Sequence, residues 1–416
     1  MEFSTFAYMS IVFTPLYPHQ GNIYDLPGFR PAVVNASYLK KLGVKAEPSA
    51  STLEGLERGS ELLALRLRNH NLIPQQHYFL DAIDPDAEKP EIHNYTGRCP
   101  TLTYEINPVK GCTVGCLYCL VTDGVHEQRL MAHENYHLYV RRLLEQMNGP
   151  GSPNRNHYYY FSPKTEAFQE ATLYTGIAHR ILREFAEHFR RCPDSNARLF
   201  IASKAGAKHL ECKDQGESIL DLFRELRDKM QYNISVSIMP TPLRDILEPY
   251  AAPIEERIKA VQLCREQGIP ANSALVQPIF TPCLTDAEIR RFFDALHQAG
   301  IVNYKPEFLT VNMENLAMLG QYLGYFDKEL ERALYDDYLM PSNATHRKQR
   351  GRTAPDRSRS QECLKKMMAY TDTLGMSTSI CYWVRQQLGI SEDLIPLVNR
   401  NGFQCLGYQR RLFKEP

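Results

Sequence analysis

The sequence carries no excess charge: Lys plus Arg and Asp plus Glu stand at 48 each in 416 residues. Such a chain projects no long-range field toward nucleic acid, so any contact of that kind has to be local. No apolar run approaches the ~18 residues of a membrane-crossing helix, and no membrane partner is expected. The opening stretch "MEFSTFAYMSIVFTPLYPHQ" has an apolar patch. It lacks a basic lead-in and a small-residue cleavage site, so a signal peptide is not expected. The even cysteine count of a short secreted disulfide framework is also missing. There are eleven cysteines, eight of them far apart, which points to a reducing cytoplasm. There, clustered cysteines mean metal or redox chemistry more often than crosslinks.

What is present is 43% hydrophobic residues, enough for a sizeable core. The length fits two or three domains, or one barrel with additions. Residues 1–96 read as an N-terminal extension or cap. They are rich in Pro and Tyr, with one amphipathic helix in "TLEGLERGSELLALRLRNHN" whose approximate face is Leu53, Leu56, Leu62, Leu63 and Leu65. Residues 97–330 alternate. "TLTYEIN", "HYYYFS", "ARLFIAS", "NISVSIM", "ANSALVQPIF" and "KPEFLTV" read as strands. Between them, "HENYHLYVRRLLEQM", "TGIAHRILREFAEHF", "ESILDLFRELRDKM", "PIEERIKAVQLCREQG" and "TDAEIRRFFDALHQAG" read as helices. The last opens on Thr285 and Glu288 as a capping box and stops at Gly300. The expected fold is α/β, a partial parallel (β/α)6 barrel, with chemistry at the C-terminal ends of the strands. Residues 331–416 read as a mostly helical C-terminal cap. It is interrupted by "THRKQRGRTAPDRSRSQ", which reads as a solvated loop or, more sharply, as a lid that binds anions.

The first strand runs into "INPVKGCTVGCLYC", where Cys112, Cys116 and Cys119 are spaced C-x3-C-x2-C. Three chemistries fit. A structural zinc site needs a fourth ligand, for which His126 is a candidate without finger-like spacing. A redox pair would leave Cys112 surplus. A [4Fe–4S] cluster on three thiolates leaves one iron open, which accounts for the missing ligand. Gly111 and Gly115 let the loop wrap closely around a bulky group, and Tyr118 is a candidate to stack on a flat base.

On these residues the sequence resembles the radical SAM superfamily. Over residues 101–311 it is similar to the spore photoproduct lyase-like branch, through "NPVKGCTVGCLYC", "KTEAFQEA", "FIASKA", "VSIMPTPLRDILEPYAAPIEERI" and "VQPIFTPCLTDAE". The resemblance implies that S-adenosylmethionine (SAM) chelates the open iron. An electron from the cluster then splits SAM into methionine and a 5'-deoxyadenosyl radical, which takes a hydrogen atom from substrate. It implies that Lys204 and Ser237 hold polar groups of SAM, and that Thr165 and Glu166 meet its amino group. The plainer reading of Thr165 is a helix N-cap, and of Ser237 an ordinary strand serine. Glu248 and Arg257 read as a structural ion pair. Two departures stand out. Pro163 lies where photoproduct lyases carry a hydrogen-donor cysteine, and Thr172 replaces the branch's glutamate. Cys283 is the better donor candidate, while Cys363, Cys381 and Cys405 read as small buried side chains. Tyr158, Tyr159 and Tyr160 read as packing. The expected partners are a small-molecule or peptide substrate of a biosynthetic pathway and an electron donor such as flavodoxin or ferredoxin. Nucleic acid modification, and a non-catalytic iron–sulfur or zinc protein, are the alternatives.

Overall fold

Alternating strand and helix patterns give β1 Leu102–Ile106, α1 Tyr136–Asn148, β2 His157–Phe161, α2 Ile177–Arg191, β3 Ala197–Ser203 and α3 Ile219–Leu226. They continue as β4 Met230–Ile238, α4 Ile254–Glu266, β5 Ser273–Ile279, α5 Asp286–Gln298, β6 Asn303–Phe308 and α6 Met313–Phe326. The computed structural model describes residues 10–17, 26–69, 77–93, 102–119, 130–153, 155–340, 352–381, 384–385, 388–390, 395 and 399–400. The six strands are parallel, and each pairs with its successor. With neighbours in chain order, every crossover turns the same way and the helices share one face. This is the winding of a β/α barrel. Among the described residues the ring stays open. Glu91–Ile92 lies antiparallel to β1 at one edge, and Ser377–Thr378 lies parallel to β6 at the other. The expected partial parallel barrel is therefore present.

Successive side chains alternate between the faces of a strand. Toward the helices lie Tyr159, Phe161, Leu199, Ile201, Tyr232, Ile234, Val236 and Val276. They share one apolar cluster with Val140, Ile181, Phe185, Phe223, Val261 and Phe293. The other face carries Glu105, Tyr160, Phe200, Gln231, Asn233, Ser235, Ser237, Ser273, Asn303 and Lys305, all buried yet mostly polar. A parallel sheet covered by apolar layers on both faces would read as unbroken hydrophobic runs. This inner face is built to meet something other than hydrocarbon.

Three local expectations shift. The helix expected from His133 starts at Tyr136. Leu130–His133 is instead a strand, pairing with Val109–Lys110 and His77–Asp81. The helix expected to reach Met230 ends at Leu226, because Met230 opens β4 and pairs with Leu199. On the N-terminal helix Ala50–Asn69, Leu56 and Leu63 are buried and Leu53 and Leu62 pack against the same cluster, as expected, but Leu65 is 44% exposed and the face continues through Thr52 and Ser60. Thr285 does cap α5, accepting from the Glu288 N–H at 3.2 Å. Beyond α6 come α7 Lys328–Tyr338 and α8 Arg357–Thr373.

The N-terminal segment is tied into the barrel. Ser10–Val12 pairs with His77–Asp81, which joins Leu130–His133. The N-terminal helix lies on α6 through two glycines. A Cβ on Gly55 would stand 2.6 Å from the Met313 Cβ, and one on Gly59 would stand 2.3 Å from the Glu314 carbonyl oxygen. Backbone cannot yield as a side chain can. Gly59→Ala should therefore destabilise by about 1–3 kcal/mol, beyond the ~1 kcal/mol it gains in helix propensity. A lowered thermal midpoint would show it, and an unchanged or raised one would contradict this packing.

Candidate functional site

The cysteine loop leaves the C-terminal end of β1 and is held from several sides. Gly111 adopts φ 90°, and a Cβ there would stand 2.4 Å from Leu130 Cδ2. Thr113 donates its N–H to Gln169 Oε1 at 2.9 Å and its hydroxyl to Glu170 Oε2 at 3.0 Å. Glu170 Oε1 also accepts from the Leu16 N–H at 3.0 Å, so one carboxylate ties the loop to the N-terminal segment. On the far side, the Leu117 N–H donates to the Leu247 carbonyl at 2.9 Å, and the Tyr250 N–H donates to the Val114 carbonyl at 3.3 Å.

Cys116 is buried, and Cys112 and Cys119 are half-buried. Burial pushes the Cys112 thiol up to about 12, against the pull of N–H groups from Val114 and Glu166. Burial raises Cys116 as well, and Lys204 opposes that shift. Among the described residues no three His, Cys, Asp or Glu side chains converge on one ion. A zinc ion needs its sulfurs about 3.8 Å apart, from ~2.3 Å bonds in a tetrahedron. A cluster spreads its thiolates over separate irons and needs no such convergence. His126 lies outside the described residues.

A buried charge network backs the loop. Glu248 and Arg257 pair directly, each with a side chain 1% exposed. Arg257 also donates to the carbonyls of Ala252 and Ser235, at 2.6 and 3.1 Å. The expected structural ion pair is thus in place. Burial alone would raise the Glu248 carboxyl; Arg257 and then Lys204 outweigh it and hold it at about 2. Glu248 Oε1 accepts from the Tyr118 hydroxyl and, at 3.0 Å, from the Ser237 hydroxyl. Tyr118 meets Phe280 edge-on at 5.6 Å, with the Lys204 ammonium 5.8 Å from its ring centre. Tyr118 therefore acts as a strut from the loop to Glu248, a role its spacing did not disclose. Burial lowers the Lys204 pKa, but Cys116 and Glu248 outweigh burial and leave it above the ordinary lysine value. Its ammonium lies 3.4 Å from Ser235 Oγ.

Glu166 sits between β2 and β3. It accepts from the Ser203 hydroxyl at 2.5 Å, the Lys204 N–H at 2.7 Å and the Phe168 N–H at 3.1 Å. The N-cap reading of Thr165 fails. The next helix begins at Glu170 with Gln169 at its cap, and Thr165 closes a turn onto the Ser162 carbonyl at 3.2 Å. Among the described residues the hydroxyl oxygens of Thr165 and Ser162 are buried without a hydrogen-bond partner, and Ser162 holds φ 53°. Polar groups left so at the mouth of a barrel mark a place where a ligand would satisfy them.

Cys283 lies in the short turn Thr281–Cys283 after β5, 3% exposed, in one apolar cluster with Cys116, Leu117 and Tyr118. Burial pushes its thiol up to about 12. Cys363 is buried, as expected. Cys381 is only half-buried, against the cluster of Tyr158, Tyr160, Phe200 and Leu275 on the inner face. Cys405 lies outside the described residues, as do residues 345–351 of the basic stretch; the rest is not the expected loop, since Arg352–Thr353 pairs as a strand with Val311–Asn312 and Arg357 opens α8. Two of its cations are engaged: Arg357 donates to the Leu388 carbonyl at 3.1 Å, and Arg359 lies 3.9 Å from Asp337. Thr172, where the resemblance would place a glutamate, turns its hydroxyl to the Ala167 carbonyl at 2.7 Å.

Sequence reasoning missed Gln169 and Glu170 as anchors of the loop, and Tyr118 as a strut. It also missed the polar inner face. That signal was readable in "NISVSIM", where every second residue is Asn or Ser.

No family model matches the chain, and no curated protein does. Among solved structures it is similar to a spore photoproduct lyase mutant with dinucleoside spore photoproduct: 12% identity, 69% of this chain and 78% of that one, TM-score 0.46. It is also similar to anSMEcpe with bound AdoMet, at 14% identity, 55% and 58% of the two chains, TM-score 0.34. A third is methylornithine synthase (PylB), at 10% identity, 85% and 95%, TM-score 0.33.

Proposed function

We propose that the chain is a radical SAM enzyme acting on a small molecule or peptide in a biosynthetic pathway. One observation carries the reading. Three thiols, Cys112, Cys116 and Cys119, share a clamped loop at the C-terminal end of the first barrel strand, with the Lys204 ammonium close enough to Cys116 to act on it. Cys112, Cys116 and Cys119 would hold a [4Fe–4S] cluster. When bound, the cluster and SAM supply the reductive cleavage that yields the 5'-deoxyadenosyl radical.

The remaining roles belong to the protein. Lys204 is a cation beside Cys116 and suits a carboxylate such as that of SAM. Glu166 already accepts three hydrogen bonds, and a carboxylate has room for a fourth, from an ammonium. The Thr165 hydroxyl is a further polar group beside it. Ser237 would act through Glu248 rather than on SAM directly, since its hydroxyl donates inward and is fully buried. Tyr118 would keep the third thiol in register. Cys283 stands as the candidate hydrogen donor, its buried thiol kept protonated.

Anaerobic reconstitution with iron and sulfide tests the reading. A charge-transfer band near ~400 nm should appear. Reduction with dithionite in the presence of SAM should then release 5'-deoxyadenosine. Protein that takes up zinc stoichiometrically and never builds the band would replace this reading with the zinc one.

A further inference from the structure

From Gly111 to Tyr118 the cysteine loop forms neither strand nor helix, so its shape depends on what holds it from outside. The first anchor is Thr113, one residue past Cys112. Two consecutive side chains converge on it: Gln169 takes its N–H and Glu170 its hydroxyl. Thr113, Gln169 and Glu170 are each 3% exposed or less, so a lost partner leaves a buried polar group unsatisfied. Glu170 is in turn held by the N-terminal segment. Its other oxygen accepts from the Leu16 N–H at 3.0 Å and lies 3.8 Å from His209 Nε2. His209 takes the Gly206 N–H on Nδ1 at 3.1 Å, which leaves the proton of the neutral ring on Nε2, toward the carboxylate. Tyr17 packs on that ring, with centres 5.0 Å apart. Its hydroxyl donates to Glu256 Oε2 on α4 at 2.8 Å and accepts from the Lys208 N–H at 3.1 Å. A Cβ on Gly206 would stand 2.4 Å from that hydroxyl, so the tyrosine is seated against backbone.

A carboxylate is costly to bury. Here its two oxygens join the cysteine loop to the N-terminal segment at once. From this we propose that Glu170 is a positioning residue of the cysteine site, and that Leu16 and Tyr17 form a latch that keeps it aimed at Thr113. Glu170 acts through Thr113 rather than on the thiols. The N-terminal segment is then a working part of the site, because the loop keeps its three thiols in register only while the latch is seated. This deepens the reading above and rests on it for what the thiols hold, but the latch itself needs no metal.

Iron-free full-length protein, folded and with its thiols reduced, would be pulsed with iodoacetamide, and the labelling of each cysteine read by peptide mass spectrometry. Cys116 reports the loop, because it is buried there, and Cys264, 0% exposed on α4, reports the fold as a whole. Thr113→Val, Glu170→Met and Leu16→Pro each remove one contact of the latch, the last because proline has no N–H. Each should speed Cys116 labelling about tenfold or more, as a buried hydrogen bond is lost and the loop opens more often. Cys264 should stay at the parent rate. Glu170→Gln keeps an oxygen for Leu16 and an N–H for the Thr113 hydroxyl, so it should label within about twofold of the parent. The proposal is overturned if Cys116 keeps the parent rate in the three variants, or if Glu170→Gln behaves like Glu170→Met. A rise of Cys116 and Cys264 together would give Glu170 a purely structural role and also overturn it. The same proteins are then given iron and sulfide. A selective Cys116 response with no ~400 nm band in the parent would sink the radical SAM reading and leave the latch standing, so the two failures are told apart.

Discussion

Cys116→Ala should abolish the iron–sulfur band and SAM cleavage together. Cys116 is the middle thiol of the three and the buried one, and three thiolates are the whole protein share of an open-iron cluster. Two would leave a second iron without a protein ligand. Alanine is smaller and fits the same backbone, so the fold should persist, with circular dichroism near that of the parent. The variant should hold little iron, show no ~400 nm band, and make 5'-deoxyadenosine only at background. Full activity in iron-free Cys116→Ala protein would sink the account of the site.

The second large effect is on stability. Arg257→Met leaves Glu248 buried without the partner that does most to hold its charge. Truncating one partner of such a pair costs about 3–5 kcal/mol, because the other is left uncompensated. Glu248 also receives the Tyr118 and Ser237 hydroxyls, so the damage should reach the cysteine loop. Denaturant unfolding of the iron-free chain should show the loss. Adding Glu248→Gln to Arg257→Met should restore a good part of it, since a glutamine oxygen still accepts from both hydroxyls without burying a charge. If the double variant were no more stable than Arg257→Met, uncompensated charge would not be the cause.

The β/α alternation was legible because each unit is long enough for its period to show. β3 runs over the residues expected, Ala197–Ser203. The cysteine loop was legible from spacing, and Glu248 with Arg257 from the stretch that carries the family resemblance. The rest depends on partners distant in sequence. Tyr118, expected to stack on a base, sends its hydroxyl to a carboxylate 130 residues away. Glu170 serves Leu16 and Thr113, at separations of 154 and 57 residues. No local pattern encodes either. Short pieces fail for a related reason: Ser10–Val12 and Leu130–His133 are strands only because each finds a partner. Helix ends shift where a neighbouring strand competes for the residue, as at Met230.

Gly55 and Gly59, which let the N-terminal helix settle on α6, also fix an order of events during synthesis. β1 to β6 can each dock on the strand made just before, so the barrel can grow as the chain leaves the ribosome. The N-terminal helix emerges first, yet its seat at Met313 and Glu314 is made near the end. Through that interval its apolar stripe has no native cover and is open to chaperones. A chain cut short before α6 would keep that stripe exposed, a handle by which quality control could tell the unfinished protein from the finished one.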